Sequence, residues 1–164
     1  MIIFGIDPGL AIVGYGIIQY DGNRYRAIDY GCIRTGAEIQ FSKRLKIIYD
    51  ELSSIIDKYK PDDLAIEELF FNKNAKTALK VGQARGVEIL SAVNRGIEVY
   101  EYTPLQVKQA VAGYGRADKK QVQEMVKILL NLRELPRPDD AADALAVAIC
   151  HSSCLKFKDM FKMK

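Results

Sequence analysis

Four acidic residues stand where an apolar chain has little ordinary use for charge. Asp7 closes the run MIIFGID, and Glu67 follows the apolar residues of LAIEE. Asp140 and Asp143 lie in the alanine-rich stretch PDDAADALAVAICH; at i and i+3 on a helix their Cβ atoms fall roughly 5–6 Å apart on one face. Singly, each acid has a structural explanation. Asp-Pro-Gly is a common turn, and Asp139 or Asp140 at a helix start could cap it, worth ~1 kcal/mol. Asp143 is harder to explain so, because Ala141, Ala142, Ala144 and Ala146 around it imply close packing. Four anions brought together in a partly buried site raise one another's pKa or draw in a cation. An all-oxygen set suits Mg²⁺ or Mn²⁺ rather than zinc. Two such ions, roughly 3.5–4 Å apart, activate a water and stabilise the leaving oxygen in phosphodiester cleavage.

The elements that must position these acids follow from the pattern around them. MIIFGID reads as a buried strand stopped by a turn. The segment 11–35 reads as a hairpin, with Asp21-Gly22 as its turn signal. Leu45, Ile48, Leu52, Ile55 and Ile56 recur at helical spacing, which predicts a helix from Ser42 to about Tyr59 with Ser42 as its cap. LAIEE and GIEVYEY read as further strands, and 74–94 as a long helix between them. Thr103-Pro104 opens a short helix, Asp118 caps the next, and Asp139 or Asp140 starts the last. The order β-β-β-α-β-α-β-α-α-α predicts one α/β domain, a mixed sheet with helices on both faces. In such sheets ligands bind where strands end, and packing the last helix there would bring all four acids together.

Composition narrows the classes. The 164 residues are 49% hydrophobic and 27% charged, enough for a core and unlike a disordered chain. No apolar run approaches the ~18 residues of a membrane span. The N-terminus lacks the basic region of a signal peptide, so a cytoplasmic protein is the expectation. Cys32, Cys150 and Cys154 are few and scattered, which reads as buried free thiols; a metal set made from Cys150, His151 and Cys154 finds no second ligand cluster. The net charge is only +3, but the basic residues gather: Lys73, Lys76, Lys80 and Arg85, then Lys108, Arg116, Lys119 and Lys120, then four lysines in LKFKDMFKMK. That distribution suits a polyanion, although solvated helix faces would produce it too.

In order and spacing, GIDPGLAIVGYG, AIEELFFNKNAKTALKVGQARGV, YTPLQVKQAVAGYGRADKKQVQ and DDAADALAVAICH resemble the RuvC family of Holliday-junction resolvases. The resemblance runs from residue 1 to about 152 and leaves 153–164 as a basic tail, expected to be a disordered DNA-contacting arm or without specific role. It implies a ribonuclease-H-like fold with a five-stranded mixed sheet, a homodimer, and Mg²⁺-dependent cutting of four-way DNA junctions. Two ions per site are implied, with Mn²⁺ able to substitute. The family's catalytic acids fall on Asp7, Glu67, Asp140 and Asp143. Phe70 matches an aromatic that stacks on DNA near the junction centre, and Phe71 is assigned to core packing. Lys108 and Lys119 match residues that contact phosphate or assist the scissile group; Lys120 and Arg116 are helpers. Arg85 is either a phosphate contact or the partner of a local acid. The dimer is expected on helix 74–94, where Ala75, Ala78, Gly82, Ala84 and Gly86 permit close approach; packing of these small residues on the parent sheet alone is the alternative. A branch-migration motor of the RuvA and RuvB type is the implied partner.

Two other classes compete. IDPGLAIVGYG imitates the phosphate-binding turn of actin-like and sugar-kinase-like ATP-binding folds, but 164 residues leave no room for their second half. A junction-binding module without cleavage would share the DNA contacts and lack the need for four acids.

Overall fold

Across residues 1–69 and 75–163, which the computed structural model describes, the elements follow the expected order. They are β1 (Ile2–Asp7), β2 (Ile12–Tyr20), β3 (Tyr25–Arg34), α1 (Phe41–Tyr59), β4 (Asp63–Glu67), α2 (Ala75–Val93), β5 (Glu98–Tyr102), α3 (Pro104–Ala112), α4 (Lys119–Leu129) and α5 (Asp139–Cys154). The hairpin turns where Asp21 Oδ1 accepts the amides of Asn23 and Arg24 at 3.1 and 2.8 Å, with Gly22 at φ 98°. The sheet runs β3-β2-β1-β4-β5. Its first three strands are antiparallel, and β1, β4 and β5 are parallel.

Strand alternation assigns the two faces. Phe4, Ile6, Leu64, Ile66 and Val99 pack with Ile48, Leu52 and Ile56 of α1 and with Ala84 and Ala92 of α2. Ile3, Ala65, Tyr100 and Tyr102 pack with Val107 and Val111 of α3, Val122 and Val126 of α4, and Leu145 and Ile149 of α5. Full burial of each large aliphatic side chain contributes about 1.5–3 kcal/mol. By the same parity Asp7 and Glu67 belong to the face covered by α5.

That helix lies unusually close to the sheet, and glycine permits it. A Cβ on Gly5 would stand 2.1 Å from the carbonyl oxygen of Ala144, and one on Gly14 would stand 2.0 Å from that of Asp140. The alanines of α5 are the matching half of this contact: Ala141, Ala142, Ala144 and Ala148 are fully buried.

The caps agree with the sequence at α3 and α4 and differ at α1 and, as described below, at α5. Thr103 and Gln106 exchange hydrogen bonds in a capping box at α3, and Asp118 and Gln121 do so at α4. Ser42, however, does not cap α1. The helix begins at Phe41, with Gln40 in the cap position and no side-chain cap. Ser42 already sits in the first turn, where its backbone cannot take the extended cap geometry.

The basic tail is not a free arm. Residues 155–160 form a 3₁₀ turn, and Lys162 bridges Tyr100 in antiparallel fashion. The amide of Glu101 donates to the Phe161 carbonyl at 2.8 Å, and that of Met163 to the Val99 carbonyl at 2.9 Å. Lys158 pairs with Asp63 at 2.7 Å and Lys162 with Glu98 at 2.6 Å. The physical reason is the β5 edge, whose unpaired backbone groups the tail satisfies.

Candidate active site

Strand β1 delivers Asp7 and strand β4 delivers Glu67, each as its last residue; Asp140 and Asp143 stand in the first two turns of α5. The cap reading of that helix start fails on geometry. Pro138 holds the cap position and no side chain closes it, while Asp139 and Asp140 already lie within the helix.

Burial and charge shift Asp7, Glu67 and Asp143 together. Burial, with Glu67, Asp143 and Asp140 adding in the same direction, pushes the Asp7 carboxyl up to about 8, against Lys119. Glu67 is pushed up to about 7 by burial and Asp143, with Lys108 and Lys119 opposing. Burial also raises Asp143, against the hydrogen bond and charge of Lys119 and with Asp140 adding to the rise. Repulsion and desolvation therefore win over the two lysines, and the site is short of positive charge.

A cleft of about 230 Å³ opens between Glu67, Asp143, Lys108 and Lys119, over Val107, Val122 and Ala146. The Lys119 ammonium stands 3.0 Å from Asp143 and 3.6 Å from Asp139. Its position follows from the Asp118 cap, which makes Lys119 the first residue of α4. Wider cavities, about 400 Å³ between α1 and β3 and about 660 Å³ beside α3, contain none of the four acids. Among the described residues no three acid, thiol or imidazole groups are drawn together tightly enough to hold a metal ion; of the four acids, Glu67 and Asp143 line the open cleft.

The remaining candidates separate. Lys120 is exposed and does not line the cleft. Arg116 lines the cavity beside α3 instead. Arg85 pairs with Glu101, and its Nε donates to the Glu67 carbonyl at 3.3 Å, so it has the local acid of its two alternatives. Phe70, Phe71 and Lys73 lie outside the described residues. His151 is no metal ligand: Nε2 meets Asp63 at 2.9 Å and Nδ1 meets the Tyr102 hydroxyl at 2.7 Å, both within the core.

One residue escaped the sequence reading. Glu88 is fully buried, and its Oε1 accepts the Gly9 amide at 3.2 Å, two residues beyond Asp7. Its signal was present, since Ala84, Glu88 and Ala92 recur every four residues and both alanines are fully buried. An acid on an apolar helical stripe is the anomaly to look for.

Comparison with known proteins agrees with this arrangement. Residues 3–151 match the family model described as crossover junction endodeoxyribonuclease RuvC. The chain belongs to the RuvC family. A RuvC protein of Alkaliphilus oremlandii is 65% identical over 164 residues, covering 100% of both chains. Among solved structures, Thermus thermophilus RuvC aligns with TM-score 0.89 at 34% identity, over 99% of this chain and 98% of that one. The same organism's RuvC in complex with Holliday junction substrate aligns at 0.91 and 32%, over 99% and 100%. The mixed five-stranded sheet with helices on both faces is thus the ribonuclease-H-like fold of RuvC structures.

Proposed function

We propose that this protein is a structure-selective DNA endonuclease that resolves Holliday junctions by paired symmetric nicks, using two divalent ions held by Asp7, Glu67, Asp140 and Asp143. The observation that carries the reading is the under-neutralised carboxylate cluster, from three elements, beside a cleft edged by Lys108 and Lys119. Its donors suit a hard cation: all are oxygens, their mutual repulsion favours one, and an ammonium already leans on Asp143. Bound there, Mg²⁺ or Mn²⁺ would supply an acidified water and charge stabilisation at the scissile phosphate. Lys119 would exchange Asp143 for a phosphate oxygen, and Lys108 would hold the phosphate from the same cleft. Membership of a junction endonuclease family, with a relative solved on its junction, supports DNA of this form as the substrate.

Symmetric cutting needs two such sites related by a two-fold axis. Helix α2 offers the surface. Leu79, Leu90 and Val93 are 67%, 47% and 54% exposed, and a Cβ on Gly82 or Gly86 would meet nothing within 4 Å. Spaced three, four, four and three residues apart, the five form a single stripe on which a second copy would seat. Ala84 is not part of it, being fully buried against its own sheet. A branch-migration motor of the RuvA and RuvB type is the partner that loads such an enzyme, and the cytoplasm its compartment; no helix among the described residues is long and apolar enough to cross a membrane.

The test is cleavage of an end-labelled four-way junction in Mg²⁺. Wild type should give paired symmetric nicks, and Asp7→Asn and Asp143→Asn should each lose on the order of 100-fold in rate while still binding the junction. Binding by wild type without cleavage in either Mg²⁺ or Mn²⁺ would refute the proposal.

A further inference from the structure

Helix α2 lies on the face of the sheet opposite the cleft, yet one of its turns reaches three strand ends. Glu88 Oε1 accepts the Gly9 amide at 3.2 Å, just past β1. Arg85, three residues earlier on the same helix face, donates through Nε to the carbonyl of Glu67 at 3.3 Å, at the end of β4. Its Nη2 pairs with the side chain of Glu101, near the end of β5. Strands β1, β4 and β5 are adjacent in the sheet. The two α2 side chains thus grip, through backbone atoms, the two strand ends that carry Asp7 and Glu67.

Glu88 is also costly where it stands. It is fully buried on a stripe otherwise made of Ala84 and Ala92, and its Oε2 has no partner. A buried acid with an idle oxygen destabilises a fold unless the other oxygen does something. Burial pushes its carboxyl up to about 8, against the Gly9 amide and Arg85, so glutamine is the fitting mimic of its neutral form.

We propose that Arg85 and Glu88 are positioning residues for the nuclease site, which set the separation of Asp7 and Glu67 by holding the Gly9 amide and the Glu67 carbonyl from behind the sheet. This rests on the assignment of those two acids as metal ligands. It also takes Arg85 away from DNA.

The experiment compares Glu88→Ala, Glu88→Gln and Arg85→Lys with wild type in three measurements: Mn²⁺ affinity of the DNA-free protein by electron paramagnetic resonance, junction affinity by gel shift in EDTA, and single-turnover cleavage in Mg²⁺. Glutamine keeps the acceptor for Gly9, and lysine keeps a charge for Glu101 while losing the guanidinium Nε. Glu88→Ala and Arg85→Lys should weaken Mn²⁺ binding and slow cleavage by about 10–100-fold, the range for residues that orient metal ligands, with junction affinity unchanged. Glu88→Gln should stay near wild type. Wild-type Mn²⁺ affinity in both disrupting variants overturns the proposal, as does equal loss in Glu88→Gln, or a loss of junction affinity alone in Arg85→Lys. If Glu88→Ala fails to fold, Arg85→Lys against Glu88→Gln decides. A wild type that never cuts removes the resolvase reading, while the Mn²⁺ titration still decides the positioning role.

Discussion

At Asp7 and Glu67 two opposed tendencies meet. Burial and neighbouring acids favour the protonated form, pushing the two carboxyls to about 8 and about 7, whereas a cation requires them ionised. With its pKa raised, the folded metal-free protein binds more protons than the unfolded chain between the ordinary carboxylate range and those values. Its stability therefore falls as pH rises through that window. Thermal melts in EDTA should show a lower Tm at pH 8 than at pH 5, and Asp7→Asn should recover much of the difference. Adding Mg²⁺ should raise the wild-type Tm more at pH 8 than at pH 5; a metal-free Tm that does not depend on pH over this range would contradict the site's electrostatics. The four acids were legible because strand ends and an i, i+3 pair leave a mark in sequence. Glu88 was not picked out, because it falls inside a long helix and its contact with Gly9 spans 79 positions; Asp139, which with Asp140 could have capped α5, instead begins the helix and shares the Lys119 ammonium with Asp143.

Secondary structure was most readable where side chains close the helices themselves. Thr103 and Asp118 announced α3 and α4, and Asp118 in turn fixes where Lys119 stands. Helix α1 begins without such a device, its first turn steadied by Arg44, whose Nε meets the Thr35 hydroxyl at 2.9 Å; no local pattern reveals that. The glycines of β1 and β2 carry the same lesson. In a strand, glycine signals a close neighbour, but which neighbour depends on how α5 packs. Gly14→Ala would place a methyl carbon against the Asp140 backbone, forcing the start of α5 outward. Chemical denaturation should report a loss of about 1–3 kcal/mol, the usual cost of overpacking. Cleavage should fall further than that loss explains, because Asp140 and Asp143 move with the helix. Unchanged cleavage in a destabilised Gly14→Ala protein would show that α5 tolerates the shift.

The molecule as a whole presents two surfaces, the cleft on one side and the exposed α2 stripe on the other, to which the proposed function gives different tasks. Leu90→Glu would put a charge at the middle of the stripe. Light scattering should then report a monomer for Leu90→Glu and a dimer for wild type, and junction cleavage should change from paired to single, uncoordinated nicks. A dimeric Leu90→Glu protein would move the interface elsewhere. The small residues of α2 left two alternatives in the sequence, a partner or the parent sheet, and Ala84 takes the second, since spacing alone does not say which side of a helix meets its own sheet. The tail was misread for a related reason: lysines look solvated until carboxylates such as Asp63 and Glu98 are found beside them. Its docking has a bearing on self-association. By sealing the margin of β5, residues 161–163 deny that strand to any other extended peptide, including β5 of a neighbouring copy. A chain cut after Cys154 would keep every residue of the cleft and still carry an adhesive border, so turbidity on standing, sooner than lost turnover, would be the first sign of the missing strap.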